Sequence, residues 1–137
     1  MPEPIEHISR DDGIQEIIFH AADATVIDLY LKIVESLLLK TINDEAGSVL
    51  RVLLNLTQTD KIPPFSHIIQ KARTLLKTYA KSHKAIQIRV AVLVPKKELT
   101  TVSLLEVFSQ LLPIDAKLKS FEEEARDAAI TWILTVN

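Results

Sequence analysis

Val49-Leu50-Arg51-Val52-Leu53-Leu54-Asn55-Leu56, followed by 57–62 and then by Pro63-Pro64-Phe65-Ser66, is the stretch that decides the fold of this chain. The apolar run is too short to span a membrane and reads as a buried strand. It is apolar on both faces, so Leu53 and Leu54 are both expected to be almost inaccessible, as in a strand covered on its two sides. Pro64, with its fixed φ and missing N–H, suits the first turn of a helix. A strand that feeds a helix is the unit of an open α/β sheet, where ligands and partners gather beyond the carboxyl ends of the strands. No glycine occurs from Thr57 to Ser66, so the junction lacks a phosphate-cradling loop, and no nucleophile–base pair stands out in it.

The periodicity on either side extends the same architecture. Asp12-Gly13 forms a hairpin turn between a weak strand over 5–9 and a stronger one over 14–19, with the first strand antiparallel at an edge. Thr25-Val26-Ile27-Asp28 has the pattern of a capping box and predicts a helix to about Thr41, its following loop closed by Gly47. After the strand over 49–56, Phe65, Ile68, Ile69, Ala72, Leu75, Leu76 and Tyr79 recur at offsets of three and four and mark the buried stripe of a second helix. A β-branched strand over 86–94 ends at Pro95. A helix follows through Val102, Leu105, Phe108, Leu111 and Leu112, stopped by Pro113. A short strand over 116–119 then precedes a second capping box, Ser120-Phe121-Glu122-Glu123, and a last helix with Ala125, Ala128, Ala129, Trp132 and Ile133 on one face. The order β-β-α-β-α-β-α-β-α predicts an α/β fold, a mostly parallel sheet with an antiparallel edge hairpin and about four helices joined by right-handed crossovers.

Composition bounds the function. The 137 residues suit a single domain over 1–137, and 47% apolar residues supply a core. Sixteen basic and eighteen acidic residues leave a net charge of −2, which offers no overall field for nucleic acid. Cysteine is absent, so disulfides, zinc–thiolate sites and cysteine catalysis fall away together. The first ten residues carry Glu3 and Glu6 where a signal peptide would be basic and then apolar. The apolar stretch over 26–39 is broken by Asp28, Lys32, Glu35 and Ser36, so no transmembrane segment is expected and a cytoplasmic protein is.

The element order, the strand over 49–56 and the closing pattern from Phe121-Glu122-Glu123-Glu124-Ala125 to Trp132 together resemble the STAS domains, the anti-sigma-factor antagonists of the SpoIIAA type and their SpoIIAA-like relatives in bacteria. The resemblance covers nearly the whole chain. It implies a regulatory, protein-binding function in which an aspartate and a phosphorylatable serine open the second helix, where a phosphate would sit on helix amides. Counted forward from Leu56, those places fall here on Pro63 and Pro64, and neither can be phosphorylated. Ser66, two residues on, is a further helix-start hydroxyl outside the family motif.

Among residues with chemistry to offer, Asp60, Ser66 and His67 suggest a triad, but adjacent residues on a helix point about 100° apart, and Ser66 and His67 do not pair readily. A capping serine and a solvated histidine are the simpler reading. His7, His20, His67 and His83 show no metal-ligand spacing, and no cofactor is implied. His20 approaches the loop after Leu56 if neighbouring strands carry both. Lys96-Lys97 should emerge on the same sheet edge and, with Asp60 and Lys61, make a small polar mouth. Lys71, Arg73, Lys77, Lys81 and Lys84 concentrate on the second helix and its exit, where a helix C-terminus favours cations. The first helix has apolar residues on more than one face. Another helix, a second subunit or an apolar ligand must cover the surplus, with Leu31 and Leu39 off the main stripe of Ile27, Tyr30, Val34, Leu37 and Leu38.

The expected function is a non-enzymatic interaction or regulatory module whose working surface is Thr57, Asp60, Lys61 and Ser66, joined by His20 and Lys96. Its partner would be another protein or a second copy in a homodimer. The alternative is a carrier or sensor of a small apolar or lipid-like ligand.

Overall fold

The computed structural model describes residues 4–42, 49–59, 65–80, 87–98 and 115–136. β1 (Ile5–Ser9) and β2 (Gln15–Phe19) form the edge hairpin, antiparallel with Ile5 opposite Phe19 and Ser9 opposite Gln15. Its turn depends on Gly13, whose φ of 88° lies where side chains are disfavoured. The turn closes as Gly13 N donates to Arg10 O at 3.2 Å and Ile14 N to Asp12 Oδ1 at 3.2 Å.

α1 (Ala24–Ile42) follows, then β3 (Val49–Asn55), α2 (Phe65–Ala80), β4 (Gln87–Val94), β5 (Asp115–Glu122) and α3 (Arg126–Thr135). The five strands lie in sequence order, β1-β2-β3-β4-β5, and every pair after the hairpin is parallel. A sheet wound in one direction with right-handed crossovers places its connecting helices on one face. Accordingly, Val26, Ile27, Tyr30, Leu37 and Leu38 of α1 and Ile68 and Leu76 of α2 share a core with Leu50, Val52, Leu54, Ile88 and Val92. The opposite face, carrying Ile14, Leu53, Ala91 and Leu93, is closed by Ala129 and Ile133 of α3. β3 is therefore covered on both sides: Leu53 is 0% and Leu54 4% exposed, as the apolar run implied.

Several local expectations are corrected. α1 is capped by Asp23, which lies two residues ahead of Thr25 and whose Oδ1 accepts from Val26 N at 3.0 Å. Thr25 already lies inside the helix, and Asp28 turns to Lys71 at 2.6 Å, so the capping box does not form. β5 is eight residues long, not four, because its pairing with β4 continues to Val94 opposite Glu122. Ser120, Phe121 and Glu122 are consequently strand residues, and the second capping box is replaced by a short 3-10 turn, Glu123–Ala125, without a side-chain cap. On α3, Ala129 and Ile133 are buried and Trp132 half-buried against Phe121, but Ala128 is exposed. β2 starts one residue later and β3 ends one residue earlier than the apolar patterns suggested. Gly47, Ile86 and the helix expected over 102–112 lie outside the described residues.

The apolar surplus of α1 is mostly met within the chain. Leu29, Leu31, Ile33 and Val34 pack half-buried against the core, Tyr30 meets Phe19 edge-on at 5.3 Å, and Leu39 remains 41% exposed.

Candidate functional site

The register places the expected working residues on one edge. Ile18 is opposite Asn55 and Asn55 opposite Leu93, so the chain leaves β2 at His20, β3 at Thr57 and β4 just before Lys96 at the same, carboxyl end of the parallel strands. The polar groups of His20 and Thr57 are used locally. His20 Nε2 pairs with Glu6 Oε1 at 2.5 Å while its backbone N–H donates to Pro4 O at 2.8 Å, which fastens the open end of the hairpin. Thr57 donates from its backbone N at 2.9 Å and from Oγ1 at 2.7 Å to Oδ1 of Asn55, a turn made by the side chain of a buried asparagine. Lys96 is exposed and opens a 3-10 turn closed by Glu98 N donating to Pro95 O at 2.9 Å. No hydrogen bond joins His20, Thr57 and Lys96 to one another among the described residues. Asp60, Lys61 and the side chain of Ser66 lie outside the described residues, although Ser66 itself falls in the first turn of α2.

A concavity lies between α1 and α2. It is an open groove of about 670 Å³. Leu31 of α1 and Leu75 of α2, both half-buried, supply its apolar lining. The rest is polar, with Lys32 and Glu35 on one lip and His67, Gln70, Lys71 and the two threonines Thr74 and Thr78 on the other. Asp28 and Lys71 bridge the helices at 2.6 Å, and the ammonium holds the Asp28 carboxyl below the usual carboxylate range. Thr74 and Thr78 turn their hydroxyls back to the carbonyls four residues earlier, at 3.2 and 3.5 Å, so their methyl groups are left for the groove. His67 lines this groove half-buried instead of standing free in solvent. The sequence signal for the groove was Leu31, off the main stripe of α1, together with Leu75 at the margin of the α2 stripe. Nothing in the local pattern pairs Asp28 with Lys71.

A second polar cluster was missed altogether. Glu16 is buried on the α3 face, where Arg126 at the start of α3 reaches it at 2.6 Å and Arg10 at 3.4 Å. Its signal was an acid at an inward position of an otherwise apolar strand. Arg89, 1% exposed, forms a bidentate pair with Asp115 at 3.1 and 3.2 Å and keeps that carboxyl below its usual range. Arg51 donates to the carbonyl of Ile133 near the end of α3, which places a cation at the negative end of that helix.

Among the described residues no group of three or more His, Cys, Asp or Glu is arranged to hold a metal ion, and no helix is long and apolar enough to cross a membrane. No family model, no curated protein and no solved structure matches this chain.

Proposed function

We propose that this chain is a non-enzymatic, cytoplasmic interaction or regulatory module of the STAS, SpoIIAA-like architecture that works without the serine phosphoswitch. The opening antiparallel hairpin, the strictly sequential parallel strands and the closing helix on the far face support the architecture. The observation that carries the function is the open groove between α1 and α2, which offers two leucines within a rim of polar side chains. Such a surface takes a side chain or short segment of a partner, with the rim supplying hydrogen bonds and register. A carrier of an apolar ligand is less well served by it, because a lipid-like chain needs an enclosed apolar wall and this groove is open to solvent.

Site-specific photo-cross-linking in the native cell tests the reading. A photoreactive residue at Gln70, on the groove, should yield a discrete protein adduct, and one at the exposed Asp127 on the opposite face should not. Absence of a Gln70 adduct, or the same adducts from both positions, overturns it.

A further inference from the structure

Three large apolar side chains stand in solvent among the described residues: Ile8 at 44%, Leu39 at 41% and Leu134 at 41%. Leu39 and Leu134 lie on helices, whose backbone groups bond within the helix. Ile8 lies on the edge strand β1, where Glu6, His7, Ile8 and Ser9 are all exposed. Pro4 O accepts from His20 N at one end of that strand, and Arg10 N donates to Ile14 O at the other. Hydrogen-bonded and non-hydrogen-bonded pairs alternate along an antiparallel ladder, so the even residues face β2 and Ile5, His7 and Ser9 turn their N–H and C=O groups to the open side. The even side chains lie on the α3 face, since Ile8 is opposite Glu16. α3 packs on β3, β4 and β5 and leaves Ile8 uncovered. Such an edge is a template for another strand. At the other end of the described sheet, lysines guard β5: a symmetric antiparallel pairing centred on 117, 118 or 119 sets Lys117 or Lys119 against a lysine of the second copy. β1 carries no lysine.

We infer that β1 is a self-association edge: two copies of this chain pair antiparallel through β1 about a two-fold axis at Ile8, and their sheets become one. In that register Ile8 faces Ile8 of the second copy, Glu6 faces Arg10 and His7 faces Ser9, each in both directions. His7 and Ser9 are residues whose backbone groups point outward, so they exchange main-chain hydrogen bonds. Ile8 forms a non-hydrogen-bonded pair, in which side chains come closest, and the two isoleucines cover each other. His20 holds Oε1 of Glu6, so Oε2 is left to meet Arg10 across the axis. Arg10 donates to Glu16 and Asp12 from its two terminal nitrogens and keeps a second N–H on each. Neighbouring registers are worse: centring on Glu6 sets two carboxylates together, and centring on His7 leaves each Ile8 against a Glu6. A strand of an unrelated protein would use the same backbone groups, but the pairing that joins opposite charges and covers apolar with apolar is one that β1 finds in itself. A contact built on a strand of five residues lies at the small end of specific interfaces, so the dimer is weak and reversible. The edge is separate from the groove between α1 and α2, and neither reading depends on the other.

Sedimentation of the full chain, followed from micromolar to millimolar concentration, should show a rise from monomer to dimer mass. Ile8→Lys sets two ammonium groups against each other, and Ser9→Pro removes an outward N–H that β2 does not use. Each should raise the dimer dissociation constant at least about tenfold. Circular dichroism of both variants should match the native chain, because Ile8 is exposed and an edge strand accepts proline where its N–H faces solvent. The register is read separately. The chain contains no cysteine, so a single introduced thiol reports its own neighbour. Ile8→Cys places two sulfurs opposite each other and should give a disulfide-linked dimer in oxidised glutathione. His7→Cys, whose counterpart lies two residues along the second strand, should not. A native chain that stays monomeric throughout overturns the inference and leaves the edge to a different protein. So does a dimer that survives Ile8→Lys, and so does a disulfide that forms from His7→Cys as readily as from Ile8→Cys.

Discussion

The two faces of the sheet are held in different ways. Under α1 and α2 the buried side chains all come from apolar or aromatic residues, while the α3 face holds each of the buried polar residues described, Glu16, Asn55 and Arg89. Helix length accounts for much of this. α1 and α2 are 19 and 16 residues long and bring wide apolar stripes, so area alone holds them down. α3 has 10 residues and buries only Ala129 and Ile133 fully. A helix so lightly anchored is fixed in place by directional contacts: Arg126 to Glu16 at its start and Arg51 to the Ile133 carbonyl near its end. An ion pair such as Glu16–Arg126, with its carboxylate buried, adds little net stability, but breaking it is costly, so it acts here mainly to set where α3 docks.

The largest effect that sharpens this contrast is on β3, which belongs to both faces. Leu54→Ala and Leu53→Ala should each lower stability by about 2–5 kcal/mol through lost transfer energy and a residual cavity. Chemical denaturation checks this, and an unchanged midpoint for either would break the central placement of β3. The two should differ in what loosens first. Trp132, the single tryptophan, packs against Phe121 at 6.0 Å on the α3 face, so its emission should change ahead of global unfolding for Leu53→Ala and only with it for Leu54→Ala.

Alkaline titration probes the other face. Burial pushes the Tyr30 hydroxyl up to about 12, above its ordinary value of 10.0. Its contribution is therefore fully present below about pH 10 and is lost as pH rises toward 12, because the unfolded chain ionises first. It amounts to at most about 3 kcal/mol. Stability measured across that window should fall in the native protein and fall less in Tyr30→Phe, and parallel curves would break the assignment.

A smaller effect is expected at the α3 tether. Glu16→Gln leaves Arg126 without its carboxylate, whereas Arg10 keeps Asp12 at 2.9 Å, and the Arg126 guanidinium has access to water and recovers part of the loss, so about 1–3 kcal/mol is expected. A double-mutant cycle with Arg126→Gln should return a coupling between the two sites, and additive effects would show that the pair does not act as a tether. The smallest effect belongs to Asp28→Asn. Its partner Lys71 and Asp28 itself are both exposed, and the thermal midpoint should not move measurably even at low salt.

How much of this was legible before the structure follows from the same physics. Val49–Asn55 and Phe65–Ala80 were readable because their apolar residues repeat with the period of a strand and of a helix, and Gly13 because only glycine suits its backbone. Capping was misread at Thr25 and Ser120 because several short polar residues compete at each helix start. The choice of Asp23 over Thr25 depends on where α1 first meets the sheet, and the fate of Ser120 on how far β5 stays paired with β4. Of the edge residues, the sequence brought His20, Thr57 and Lys96 to one end of the sheet but did not reveal that Glu6 and Asn55 already engage the first two.

By itself, then, the sequence determined the order of the described strands and helices, the apolar side of α1 and α2 and the doubly covered strand at the centre, since all of these are set by residues a few positions apart. Only the tertiary structure decided that Glu16 meets Arg126, that Asp28 meets Lys71, and that Leu31 and Leu75 open a groove between two helices. Those partners are separated by 110 positions in one case and 43 in another. Local periodicity says which face of an element turns inward, whereas strand order and helix crossing decide which distant side chain it finds there.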